Sequence, residues 1–189
     1  EAQRQPNALE QYRQDIGSFG SVWTPWVARV RAARERIVRI RAMLPDLIDR
    51  ALELAGPWNC LADDVGYIQQ RAADFETTQA HFSTVNHRRE AEGIMEQLEA
   101  IERDINERFA KLNEKAGRLQ FLEMDISQII ALVSDTTGNL SDDYPDKPKW
   151  ERTLRLIDHH TRSAHAAQHY EDASVALLRA ADAANKLVI

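Results

Sequence analysis

A single cysteine, Cys60, leaves this chain no internal disulfide, a usage that fits a reducing compartment. Glycine and proline are scarce, seven and six in 189 residues, so long stretches run without a backbone breaker. No apolar run reaches the roughly 18–20 residues that a bilayer span requires, and no span is expected in this sequence. The opening EAQRQPNALEQ is polar, lacks a secretory leader and does not start with methionine, so a piece of a longer protein is expected. Glycine-rich phosphate loops, a GxSxG elbow and an HExxH pair are all missing, which leaves catalysis without a foothold. No enzyme activity and no cofactor are expected.

What the chain does have is helix. Charged residues make up 29% and apolar ones 43%, with Ala, Leu, Ile, Arg and Glu prominent, and no stretch alternates as a strand would. The net charge of −6 argues against general nucleic-acid binding. The dominant stretch runs from Ala91 to Val133. There Ala91, Ile94, Leu98, Ile101, Ile105, Phe109, Leu112, Ala116, Leu119, Leu122, Ile126, Ile129 and Val133 recur at steps of three or four. That spacing puts an apolar stripe about 60 Å long on one side of a helix. So narrow a seam must lie against other helices to be stable.

The same reading places the other elements. Leu9, Tyr12, Ile16 and Phe19 predict a short helix over 7–17, ended by Gly17, Gly20 and Ser21. Thr24-Pro25 then opens a helix over 25–55, with Trp26, Val30, Ala33, Ile37, Ile40, Leu44, Leu47, Ala51 and Leu54 in heptad steps. Pro45 inside that pattern predicts a kink or a fresh start. Gly56-Pro57 closes the helix, and a third follows over 57–86 as its antiparallel neighbour. Across Asn86-His87-Arg88-Arg89 the pattern slips with no Gly or Pro to mark a turn, and continuation through 57–137 is favoured over a break before a helix at 88–137. Residues 138–149 read as a loop, and a last helix is expected over 149–187. The expected fold is all-α: one elongated antiparallel helical bundle over 1–189, with three to four long amphipathic helices and a short N-terminal one.

Candidate chemistry is thin. His159, His160, His165 and His169 cluster in the last helix, and His165 and His169 at i,i+4 would share a face. A zinc or di-iron site needs a third ligand and a Glu-x-x-His pattern that this helix lacks. Asp142, Asp143 and Asp146 lack the ligand spacing of a calcium loop, so no metal is expected. Cys60, beside Trp58 and Leu61, reads as packing. Trp23, Trp26, Trp58 and Trp150 stand near expected helix ends and read as plugs of the bundle.

The most individual feature is basic. Arg29, Arg31, Arg34, Arg36, Arg39 and Arg41 are opposed only by Glu35, while residues 90–107 hold seven carboxylates against Arg103. The two runs could flank one another across a seam. Read functionally, the six arginines form a partner-binding strip for an acidic protein tail, a filament surface or anionic lipid.

Leu9, Tyr12 and Trp23/Trp26 in the early helix, with LIDHHTRSAHAAQHYEDASVALLRAADAANKLV at the end, resemble the spectrin-repeat and plakin class of three-helix bundles. The resemblance implies a non-catalytic spacer or adaptor in a cytoskeletal protein, and it carries no binding residue across. The expected function is therefore a protein–protein interaction or scaffold domain of a cytoskeleton-associated, cytoplasmic adaptor. Its partners would be proteins, acidic or filament-associated, or a second copy in a homodimer. Two other classes remain open: the helical sensory domain of a bacterial receptor, and a helical membrane-acting toxin or effector.

Overall fold

The computed structural model describes residues 8–85, 87–138 and 145–188, and among them every regular element is helical. The all-α helical bundle is what the structure shows. Its elements are α1 (Ala8–Ala55), a 3-10 turn (Asn59–Leu61), α2 (Ala62–Thr84), α3 (Arg88–Gly138), α4 (Lys147–Ala166) and α5 (Tyr170–Val188). The chain divides into two units, Glu1–Leu44 and Pro45–Ile189.

In the first unit, one helix runs where two were expected. Gly17, Gly20 and Pro25 all lie inside α1. Both glycines have open space around them, so neither marks a turn that needs its special backbone freedom. Pro25 removes one backbone donor at a cost of about 3 kcal/mol, yet α1 runs through it. Joining the halves brings Trp23 into register. Ile16, Phe19, Trp23, Trp26, Val30, Ala33, Ile37, Ile40 and Leu44 follow at alternating steps of three and four without a slip. Ile37, Ile40 and Leu44 are buried, whereas Ile16, Phe19 and Trp23 are exposed. Trp23 and Trp26 therefore sit in the interior of a helix, not near a helix end.

The second unit is built on α3. Ala91, Ile94, Leu98, Ile101, Ile105, Leu112, Ala116, Leu119, Ile126 and Val133 are all buried, as the stripe predicts. The neighbours that bury them are α2 and α5, and α4 packs on α5. Cross-helix pairs fix the direction of α2 on α3. Asp64 meets Arg108 and Lys115, Arg71 meets Asp104, and His81 meets Glu90, so the helices are antiparallel. A helix continuous through 57–137 is ruled out. Val85 is extended, α3 begins at Arg88, and Ala91 N–H donates to the His87 carbonyl. Local bonding competes with the helix just before the break. Thr77, Thr78, Ser83 and Thr84 hydroxyls bond back to carbonyls three or four residues earlier, which weakens the last turns of α2. His81 Nε2, 3.2 Å from Glu90 Oε1, bridges the resulting corner.

Two further boundaries differ from expectation. The helix expected over 57–86 starts later, because Trp58 is extended and Asn59–Leu61 form a 3-10 turn before α2. Gly56, at φ +39, supplies the left-handed residue that ends α1, and Pro57 follows it. The single helix expected over 149–187 is two. Ala167 is extended, Ala167 N–H reaches the Ala164 carbonyl at 3.3 Å, and α5 restarts with Ala173 N–H donating to the His169 carbonyl. α4 packs on α5, and Ala164 of α4 and Ala173, Ala180 and Ala184 of α5 are fully buried.

Candidate functional site: ionic cluster, groove and basic face

The densest polar cluster lies between α2 and α3. Asp64, Tyr67 and Arg71 recur at three and four residues on α2, so they share one face. Asp104, Arg108 and Lys115, at steps of four and seven, share one face of α3. Asp64 is only 4% exposed, the one buried charged residue among those described. Lys115 Nζ donates to Asp64 Oδ2 at 2.9 Å. Arg108 Nε stands 2.9 Å from Asp64 Oδ1, but its N–H is not aligned for a hydrogen bond, so this contact is Coulombic. The Arg108 guanidinium lies over the Tyr67 ring at 4.7 Å, and Lys115 lies 5.8 Å from the Tyr170 ring at the start of α5.

Arg71 extends the cluster by binding Asp104 across the interface and Asp74 on its own helix. Its hydrogen bond to Asp104, then that to Asp74, hold the guanidinium proton more firmly than usual. Asp74 is pushed below the ordinary carboxylate range by hydrogen bonds from Gln70 and Arg71. Every ion here finds an opposite ion, and Arg71 and Asp74 also line an open cleft of about 370 Å³ with Thr77, Thr78, Gln97 and Ile101. The chemical role of the cluster is to fix register between α2 and α3. Sequence spacing alone did not single it out, since its partners lie on different helices. The available signal was that Asp64, Tyr67 and Arg71, at steps of three and four, and Asp104, Arg108 and Lys115, at steps of four and seven, each fall on one helix face.

The histidines separate. His165 stacks edge-on against buried Trp58, with centroids 4.6 Å apart, and its Nε2 is 2.8 Å from Glu123 Oε1. His169 falls in the turn between α4 and α5, so His165 and His169 do not share a helix face. His159 and His160 lie against each other, with centroids 5.6 Å apart. Among the described residues, no three His, Cys, Asp or Glu side chains converge as metal ligands. Asp146 caps α4 through its backbone, accepting from Lys149 and Trp150 N–H, while Asp142 and Asp143 lie outside the described residues. Cys60 is buried beside Trp58, and burial pushes its thiol up from the usual value, the opposite of an activated nucleophile. Trp58 is almost fully buried against His165, whose partner Glu123 lies well inside α3.

Two surfaces remain. A groove of about 580 Å³ opens between α4 and α5, walled by Trp150, Leu156, Val175 and Leu178 with Lys149 and Arg179 at its margins. The six arginines all lie on α1, where Arg29, Arg31, Arg34, Arg39 and Arg41 are exposed and Arg36 is half-buried. Helical geometry divides them: Arg29, Arg36 and Arg39 fall on one flank of the apolar seam and Arg31, Arg34 and Arg41 on the other. No described helix is long and apolar enough to cross a membrane. No family model, no curated protein and no solved structure matches the chain.

Proposed function

We propose that this chain is a non-catalytic protein–protein interaction domain, a scaffold of the cytoskeletal adaptor kind that its spectrin-like and plakin-like segments suggest. The observation that carries this reading is the exposed apolar face of α1. Ile16, Phe19, Val22, Trp23 and Val27 are all large, exposed and within twelve residues, with Phe19 and Trp23 in ring contact at 5.4 Å. A contiguous patch of that kind is a binding surface rather than scattered surface apolarity. Aromatic side chains are also the residues that most often anchor protein interfaces.

Comparison of the wild type with Phe19→Glu/Trp23→Glu tests the reading. Co-sedimentation with actin filaments and with microtubules, and affinity capture from cell extract, should each recover partners with the wild type and lose them with the variant. Equal recovery by both proteins would sink the assignment of this face. Failure to pellet with either filament, with capture intact, would remove only the cytoskeletal part.

A further inference from the structure

The hairpin of α4 and α5 leaves apolar side chains uncovered along one side. The two helices pack on each other across the turn 167–169, so they run antiparallel. Trp150, Thr153 and Leu156 recur at steps of three on α4 and form one wall of the groove, while Val175 and Leu178 form the other on α5. Leu156, Val175 and Leu178 are 46%, 45% and 54% exposed, although their neighbours Ile157 and Leu177 are fully buried. Three large aliphatic side chains converging on one concavity beside an indole are more than scattered surface apolarity.

The margin of that groove carries charge of one sign. Lys149, Arg179 and Lys186 line it, and among the described residues Asp182 is its one carboxylate. Lys186 Nζ, 2.6 Å from Asp182 Oδ2, pairs with that carboxylate on the preceding turn of α5. Lys149 and Arg179, both exposed, are left with no carboxylate in the groove among the described residues. The chain as a whole carries a net charge of −6, so a cationic margin here runs against its average and favours an anion.

Size decides between a small molecule and a second helix. The volume of about 580 Å³ falls within the roughly 300–1,000 Å³ of small-molecule sites. From Lys149 to His160 the groove is about 16 Å long at the helical rise. With one helix diameter, ~10 Å, as its width, its footprint is on the order of 160 Å². That is a small part of the ~800 Å² that each side of a stable protein interface contributes.

We propose that the groove between α4 and α5 binds a small anionic amphiphile, a carboxylate on an aliphatic chain about as long as the groove. The chain lies against Trp150, Leu156, Val175 and Leu178, and the carboxylate faces the margin that carries Lys149 and Arg179. A guanidinium offers a carboxylate two parallel N–H donors, and the lysine adds a mobile point charge. The site lies in the second unit and does not depend on the α1 face.

Decanoate, decanol and decylammonium are the probes, titrated by calorimetry into the whole chain below their micelle concentrations. They share one alkyl chain length and differ in head-group charge. Decanoate should bind at least about tenfold more tightly than decylammonium at low salt, with decanol between them, and added salt should narrow the gap. Lys149→Glu/Arg179→Glu should abolish or reverse that preference. Leu156→Gln/Leu178→Gln, at exposed positions, should weaken decanoate by about tenfold. Thermal melts of both variants monitor folding, and Phe19→Glu/Trp23→Glu should bind decanoate as the wild type does.

Equal binding of the three probes, binding of none, or decanoate binding indifferent to either groove variant overturns the proposal. Loss of decanoate binding in Phe19→Glu/Trp23→Glu would move the ligand to α1 and overturns it too. Self-association that Leu156→Gln/Leu178→Gln removes would assign the groove to a second copy. Adsorption to phosphatidylserine vesicles without binding of free decanoate would assign it to a lipid surface, and either result overturns the small ligand. The interaction reading of α1 stands or falls by its own test in every case.

Discussion

Asp64 is the residue whose replacement most directly tests the ionic account of the α2–α3 interface. Its carboxylate is buried and meets two cations, each about a third exposed at the side chain, so the three contributions are separable. Removing Lys115 by Lys115→Met strips the one aligned hydrogen bond from a buried oxygen, and leaving such a group unsatisfied costs about 1–3 kcal/mol. Asp64→Ala removes the buried anion and frees both cations to turn towards water. Its cost should therefore fall near ~2 kcal/mol, below the 3–5 kcal/mol typical when a buried partner is stranded. A double-mutant cycle should give a coupling of about 1 kcal/mol between Asp64 and Lys115. The Asp64–Arg108 coupling should be smaller, because that contact lacks an aligned N–H and the guanidinium keeps its place over Tyr67. Urea unfolding followed by far-UV circular dichroism measures all of these. A coupling below about 0.3 kcal/mol for Lys115, within the error of such cycles, would refute the reasoning, as would a larger one for Arg108.

Other substitutions test separate features. Gly56→Ala should destabilise the second unit by about 1 kcal/mol, since φ is +39 and a Cβ would stand 3.1 Å from the Glu53 carbonyl; the urea midpoint reads this. Gly20→Ala should instead raise helicity and add up to about 1 kcal/mol, because nothing lies within 4 Å and only backbone entropy changes. Leu112→Ala, at a fully buried α3 position, should cost about 2–5 kcal/mol in the same melt. The Cys60 thiol is raised by burial, so the folded state holds its proton longer than the unfolded chain. Its contribution is complete below the ordinary thiol pKa and fades as pH climbs towards the folded value. Melts taken from neutral to alkaline pH should show that decline in the wild type and lose part of it in Cys60→Ala. Thiol-reagent labelling should wait for denaturant.

The apolar stripe of α3 was legible in the sequence because thirteen positions agree and no local residue opposes them. The breaks were not. α2 ends at Thr84 and α4 at Ala166 with neither Gly nor Pro nearby. Back-bonding hydroxyls precede the end of α2 and an extended Ala167 ends α4, and no breaker residue in the sequence marks either place. α1 erred in the other direction. Gly17, Gly20 and Pro25 are genuine breakers locally, each costing about 1–3 kcal/mol in a helix interior, yet the heptad runs through them. The His165–Glu123 and Asp64–Lys115 contacts join residues 42 and 51 positions apart, beyond any helical spacing rule.

The composition of that α1 seam changes where its exposure changes. From Ile37 onward the a and d residues are Ile37, Ile40, Leu44 and Leu47, branched aliphatic side chains of which the first three are buried. Before Val30 they are Ile16, Phe19, Trp23 and Trp26, and the adjoining e and g positions Val27 and Val22 are apolar too. Rings of that size overfill a narrow two-stranded seam, but they serve a broad contact, where they supply large area with few rotatable bonds. A partner that covers the whole face must therefore make room for both indoles. Trp23→Leu should then weaken docking by tenfold or more, the range expected when an aromatic anchor worth about 2 kcal/mol is truncated. The same substitution should leave the melt of the second unit unchanged, since Trp23 belongs to the first. Tight binding by Trp23→Leu would mean that the aromatic rings are incidental, and that the face recognises its partner through its aliphatic positions alone.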